Sequence, residues 1–185
     1  MSPVPAIFLD RDGTLNVEVD YLHRVEDVVL VPGAARAIAA LNQRGIPVVV
    51  VTNQAGIARG RFGWPEYAAV AERIAKLLAQ EGARLDGVYV CPFHEAGREP
   101  YRHPDHPDRK PNPGMLLRAA AELDLDLARS WMVGDKSSDL KAGRRAGCKV
   151  ALVRTGYGRE VDPAGADLVA EDLPEALSGI LRQWP

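Results

Sequence analysis

Three aspartates in this chain stand where acids are costly unless something balances them. Asp10 and Asp12 follow the apolar run Ala6-Ile7-Phe8-Leu9, within Asp10-Arg11-Asp12-Gly13-Thr14, and Asp135 follows Trp131-Met132-Val133-Gly134. If those runs are strands ending at one rim of a sheet, the three carboxylates meet there. Like charges so close raise one another's pKa values. A divalent cation removes the conflict, because carboxylate, carbonyl and water oxygens suit Mg²⁺, which takes a further ligand from phosphate. Lys110 and Lys136 complement a phosphate, and the hydroxyl of Thr52 can donate to its oxygens. A carboxylate held beside a phosphoryl group can attack it. A second carboxyl nearby can protonate the leaving oxygen and then activate water.

Each piece alone has a plainer reading. Asp-x-Asp-Gly favours turns, Thr52-Asn53 is an ordinary strand exit, and Gly134-Asp135 before a helix is a common N-cap. Arg109-Lys110-Pro111 could be a solvated basic step. What argues for a site is that these pieces occur in order at successive strand ends, where ligands sit in open α/β sheets.

The elements that must position them are legible as alternating runs. Strands are predicted at 6–9, 48–51, 88–90, 131–133 and 150–153, the second of them four consecutive valines. Unbroken apolar runs without polar alternation point to a parallel sheet covered on both faces. Helices are predicted over 34–44, 65–81, 115–123, 138–146 and 173–184. Strand and helix in alternation predict a doubly wound, mostly parallel α/β fold with helices on both faces. The chain 1–185 reads as one domain, because neither irregular stretch, 13–31 nor the Pro-rich 92–113, is long enough to build a cap with its own core. The Pro-rich loop carries six prolines and three of the four histidines, His94, His103 and His106. Loops of that length in compact domains are usually functional.

Composition narrows the classes. The chain is 46% hydrophobic and 26% charged, which is globular rather than disordered. Lys and Arg number 23 against 25 Asp and Glu, a formal charge of −2, so no nucleic-acid or membrane partner is expected. Cys91 and Cys148 make no disulfide framework, and the reducing cytoplasm is the expected location. No apolar run approaches the ~20 residues of a membrane span. The first nine residues lack the basic start of a signal peptide.

The motifs 10–16 (DRDGTLN), 49–62 (VVVTNQAGIARGRF), 109–117 (RKPNPGMLL), 132–139 (MVGDKSSD) and 153–158 (VRTGYG) together resemble the haloacid dehalogenase-like phosphatases. Within them, the closest likeness is to the branch of heptose bisphosphate and histidinol-phosphate phosphatases. The resemblance runs from Ile7 to about Gly158. It implies that Asp10 is the nucleophile and Asp12 the general acid and base, with Thr52 and Lys110 stabilising the transferred phosphoryl group. It implies Mg²⁺ held by Asp10, the backbone carbonyl of Asp12, and Asp135. Arg109 would read the remote part of a small sugar phosphate, with Asn53 and Lys136 contributing and Glu18 to Tyr21 touching the sugar. Asp139 would orient Lys136 or the metal ligands, or would simply be a first-turn helix acid. A monomer is expected.

The resemblance also implies a zinc loop of the form Cys-x-His followed by Cys-x-Cys. Here Cys91 stands, but Phe93 replaces the His, and His106 and Asp108 replace the two cysteines. The remaining set, even with His94 and His103, is a poor structural zinc site, so zinc is not expected. Several substrates stay open. Arg109 would repel the ammonium of histidinol phosphate and favours a second anionic group. A 3'-phosphatase acting on DNA ends shares Thr-Asn-Gln, but no basic tract supports it. A non-catalytic phospho-accepting receiver also joins acids, a Thr and a Lys, but needs no acid at position 12.

Overall fold

The computed structural model describes residues 2–184. Six strands form one sheet: β1 (Ile7–Leu9), β2 (Val48–Asn53), β3 (Gly87–Cys91), β4 (Trp131–Gly134), β5 (Lys149–Val153) and β6 (Leu168–Ala170). Their order is β3-β2-β1-β4-β5-β6, and every pairing is parallel. The sequence of connections reverses between β1 and β4, the position where such sheets open a crevice. Among the described residues, six α-helices accompany the strands: α1 (Ala34–Gln43), α2 (Ala55–Ala58), α3 (Trp64–Gln80), α4 (Gly114–Leu123), α5 (Ser137–Ala146) and α6 (Leu173–Leu181).

The unbroken apolar runs are explained by cover on both faces. Alternate residues of one strand enter different cores. Ile7, Leu9, Val48, Val50, Trp131 and Val133 pack with α1, α3 and α6, whereas Phe8, Val49, Val51 and Met132 pack with Met115 and Leu116 of α4 and Ala142 of α5.

The structure differs from the predicted elements at three places. β6 was not foreseen: it has three residues, of which Val169 is exposed, so it leaves no apolar run to read. The last helix stops at Leu181 rather than 184, since Trp184 precedes Pro185 and that position disfavours helix. A short helix, α2, follows the second strand, where no element is predicted.

Neither irregular stretch hangs free. Segment 13–31 buries Leu15, Leu22, Val28 and Val31 in the core. The Pro-rich loop folds back on itself, with His94 N donating to Tyr101 O (3.1 Å) and His103 N to His94 O (3.2 Å).

Candidate active site

The site follows from strand register. Leu9 lies opposite Val133, and Asp10 N donates to Val133 O at 2.9 Å. One residue beyond Leu9 on β1 and one beyond Gly134 on β4 therefore place Asp10 and Asp135 side by side. Asp139, in the first turn of α5, joins them: one carboxylate oxygen from each of Asp10, Asp135 and Asp139 falls within 4.8 Å of the others, all three residues being buried.

Lys110 is the cation of this cluster. Its ammonium, almost fully buried, reaches Asp10 Oδ1 and Asp139 Oδ1, each at 2.7 Å, and donates to Val51 O at 2.8 Å. Burial alone would lower its pKa, but Asp10 and Asp139 outweigh that and hold it above the ordinary lysine value. Asn53 holds the Lys110 backbone from both sides, its Nδ2 donating to Lys110 O (3.0 Å) and its Oδ1 accepting from Lys110 N (3.1 Å). Asn53 also lines the adjoining cavity, but its amide is committed to the loop. Asp139 Oδ2 accepts from Lys136 N, which caps α5, while its other oxygen meets Lys110. Asp139 is thus both a first-turn acid and a partner of Lys110, rather than of the Lys136 side chain.

Asp135 is the least balanced acid. Its Oδ2 accepts from Tyr157 N at 2.9 Å, while the buried Oδ1 has no hydrogen-bond partner. Burial and then the neighbouring Asp10 push its carboxyl up to about 7. Gly13 and Gly156, both at positive φ, leave no room for a side chain beside this carboxylate. Thr155 Oγ1 donates to Gly13 O at 2.6 Å and ties the two segments together. The segment 153–158 therefore earns its place by walling in Asp135.

Asp12 is held by four donors. Arg11 Nε and Asn16 Nδ2 reach Oδ1, each at 3.0 Å, and Arg11 Nη2 (2.8 Å) and Gln54 Nε2 (2.9 Å) reach Oδ2. Burial would raise this carboxyl, but the Arg11 charge and the hydrogen bonds from Arg11, Asn16 and Gln54 bring it below the usual aspartate value. Gln54 Nε2 also donates to Thr52 Oγ1 at 2.8 Å and so links Thr52 to Asp12. Gln54 lies inside the 49–62 motif, where its residue type alone assigns it no role. Its two-way amide is visible only once both partners are placed.

A cavity of about 310 Å³ opens beside these groups, lined among others by Asp12, Glu18, Tyr21, Asn53, Gln54 and Lys136. Lys136 Nζ meets Glu18 Oε2 at 3.2 Å. Burial would lower the Lys136 pKa, but Asp10, Asp135, Glu18 and Asp139 together raise it. Arg109 is not in the cavity wall; its Nη1 donates to Phe93 O at 3.1 Å in the Pro-rich loop.

Residues 108–176 match the HAD-hydrolase-like family. A D-glycero-beta-D-manno-heptose-1,7-bisphosphate 7-phosphatase from Mesorhizobium japonicum is 58% identical over 144 residues, which is 78% of this chain and 66% of that protein. A protein of the same name from Photorhabdus laumondii is 42% identical over 186 residues, covering 97% of this chain and 98% of its own. The chain belongs to the heptose-1,7-bisphosphate 7-phosphatase family. A solved family structure, D,D-heptose 1.7-bisphosphate phosphatase from B. bronchiseptica complexed with magnesium and phosphate, superposes with a TM-score of 0.86 at 36% identity, covering 97% of this chain and 99% of that one.

In this heptose bisphosphate phosphatase family member, the glycine wall gives a direct test. Gly13→Ala would place a methyl group against Asp135 at a φ of +86°. We expect a large loss of turnover together with a stability loss on the order of 1 kcal/mol or more. Gly45→Ala, at a φ of +70° but facing open space, should lose stability alone. Turnover and thermal melts of both variants check this, and equal turnover in the two would contradict it.

Proposed function

We propose that this chain hydrolyses the 7-phosphate of D-glycero-D-manno-heptose 1,7-bisphosphate with Mg²⁺, as a step in making the heptose of lipopolysaccharide or related glycans. The observation that carries the reading is the buried set Asp10, Asp135 and Asp139 around Lys110, at the edge of a polar cavity. Asp10 attacks phosphorus, its Oδ1 being held by Lys110 and its other oxygen left for the bond. The protonated form of Asp12, a strong acid because Arg11 favours its anion, gives the sugar oxygen a proton as the bond from phosphorus to that oxygen breaks. Asp12 then takes a proton from water, which attacks the aspartyl-phosphate and frees inorganic phosphate and Asp10. Lys110 and Thr52 bind the phosphoryl oxygens throughout. Gln54 keeps Thr52 and Asp12 in one arrangement.

The donor set fits Mg²⁺. It consists of hard oxygens, and the partnerless buried Oδ1 of Asp135 is an acceptor that a cation would satisfy. Asp10, Asp135 and the Asp12 backbone carbonyl would hold it. When bound, the metal neutralises the clustered acids and the charge on the transferring phosphoryl group. A pH dependence follows. A carboxyl raised to about 7 in the folded protein, against 3.8 unfolded, binds more protons folded than unfolded between those values. Without metal its contribution to stability is therefore present at low pH and is lost as pH rises through about 7. Mg²⁺ needs the ionised form, so the rise in melting temperature on adding Mg²⁺ should be larger at pH 8 than at pH 6. An equal rise at both would contradict this.

The same reading places the remote phosphate toward Arg109, beyond the cavity wall, with Lys136, Glu18 and Tyr21 about the sugar and Asn53 steadying the Lys110 loop. Arg109→Ala should lower kcat/KM for the bisphosphate by about 10- to 100-fold, the scale of one lost charge-assisted contact, with little effect on p-nitrophenyl phosphate. Equal losses on both would remove Arg109 from recognition.

The reading also takes the chain as a single domain without a cap, acting as a cytoplasmic monomer, and its Pro-rich loop as closed without zinc. Supporting the last point, Phe93 stacks on His106 at 3.9 Å between ring centroids, so two of the replaced ligand positions pack on each other. Asp108 pairs with Arg118 at 2.7 Å. Cys91 is wholly buried in the core, and burial pushes its thiol up to about 11, away from the thiolate that zinc requires.

A further inference from the structure

Arg11 lies between the two aspartates of the first motif, yet no step above uses it. Its side chain is buried, only 3% exposed, and turns away from the cavity into a small apolar box beneath α3. Leu15, Val50, Ile74 and Leu85 form walls of that box. The guanidinium sits over the Tyr67 ring, 5.5 Å from its centroid. Its Nη1 is buried without a hydrogen-bond partner, and its remaining two nitrogens fork onto the Asp12 carboxylate at 3.0 and 2.8 Å. A guanidinium in such surroundings has one anion to balance it. Swinging Asp12 off the fork would strand a cation out of water, which costs far more than breaking the amide contacts from Asn16 or Gln54. The fork is also planar and two-pronged, so it fixes the orientation of the carboxylate as well as its place.

We propose that Arg11 is a positioning residue that acts through Asp12, fixing the carboxyl at the angle from which it reaches the oxygen of the departing alcohol. Arg11 itself touches neither the cavity nor the substrate. The inference rests on the proposed role of Asp12 and adds that this role depends on an anchor outside the site. Asp12 borders the cavity while Arg11 is absent from its lining, so the carboxylate is the side-chain contact through which the guanidinium reaches the reacting groups.

Leaving-group chemistry separates this role from a merely structural one. A sugar alkoxide needs a proton as it departs, whereas p-nitrophenolate does not. Arg11→Met fills the apolar box without the fork. It should lower kcat/KM for the sugar bisphosphate at least about tenfold more than for p-nitrophenyl phosphate, within the range of general acid catalysis. In an Asp12→Asn background the same change should cost almost nothing further, because its effect runs through the missing carboxyl. Equal losses on the two esters, or losses that multiply in the double variant, overturn the proposal. If circular dichroism shows Arg11→Met unfolded, Arg11→Lys keeps the charge without the fork and Tyr67→Leu removes the ring without touching Asp12. Both should show the same ester-selective loss, and an unselective loss in both overturns the proposal. An Asp12→Asn enzyme with undiminished turnover overturns the underlying reading and this inference together. A selective Asp12→Asn loss beside an unselective Arg11→Met loss overturns this inference alone.

Discussion

Asp10→Asn is expected to abolish turnover, by about 10⁴-fold or more, while the protein stays folded. The substitution keeps the size of the side chain and one oxygen for Lys110 at the 2.7 Å contact. It removes the negative charge that attacks phosphorus and that balances the buried ammonium. Relieving the crowding among Asp10, Asp135 and Asp139 offsets part of that lost balance, so the melting temperature should move by only a few degrees. Steady-state kinetics on the heptose bisphosphate and a thermal melt read the two quantities separately. A variant that retained a tenth of the activity would show that another group makes the first bond to phosphorus.

Asp12→Asn should lower kcat/KM on the alkyl phosphate by about 10² to 10⁴, the usual contribution of a positioned acid or base. The loss should be smaller in the step that releases p-nitrophenolate, and larger where water must be activated. A brief excess of p-nitrophenolate, one per active site, should therefore precede a slow steady state. The structure adds that Asp12 is held by four donors, Asn16 Nδ2, Gln54 Nε2 and the Nε and Nη2 of Arg11, all at 3.0 Å or less. Asparagine can accept from two or three of these but must point an NH₂ at a donor, so some rearrangement around Arg11 is expected. Unchanged turnover would remove Asp12 from the chemistry and would reopen a receiver-like reading, in which an aspartate is phosphorylated without an acid two residues on.

The parts of the site that were legible in the sequence are those fixed by strand ends. Asp10, Thr52 and Asp135 each follow an unbroken apolar run, and a parallel sheet brings all such ends to one rim. Side-by-side placement of Asp10 and Asp135 needs the strand order as well, because β1 and β4 are separated by more than a hundred residues of chain. What stayed hidden depends on contacts between loops. Asp139 was open between orienting Lys136 or the metal ligands and being a first-turn acid; it caps the Lys136 N–H, and Lys110 arrives from the Pro-rich loop to take its other oxygen. Asn53, expected to contribute with Arg109 to reading the substrate, lines the cavity, and the clamp of its amide on the Lys110 peptide shows only in the packing. Gln54 has no charge to attract notice and matters through its two partners. β6 was invisible because three residues with one exposed valine leave no pattern. The segment 153–158 was recognised as a motif, but its work, setting Gly156 beside Asp135, shows only in the packing.

The central claim is that Asp10 is transiently esterified by phosphate in a site where Lys110 and a bound cation balance the acids. Rapid mixing of the enzyme with Mg²⁺ and substrate, followed by acid quenching and peptide mass spectrometry, tests it directly. One phosphoryl group on the peptide containing Asp10, appearing no slower than turnover and absent without Mg²⁺, is the predicted result. Full turnover with no phosphorylated peptide, or with the phosphoryl group on any residue other than Asp10, would contradict it.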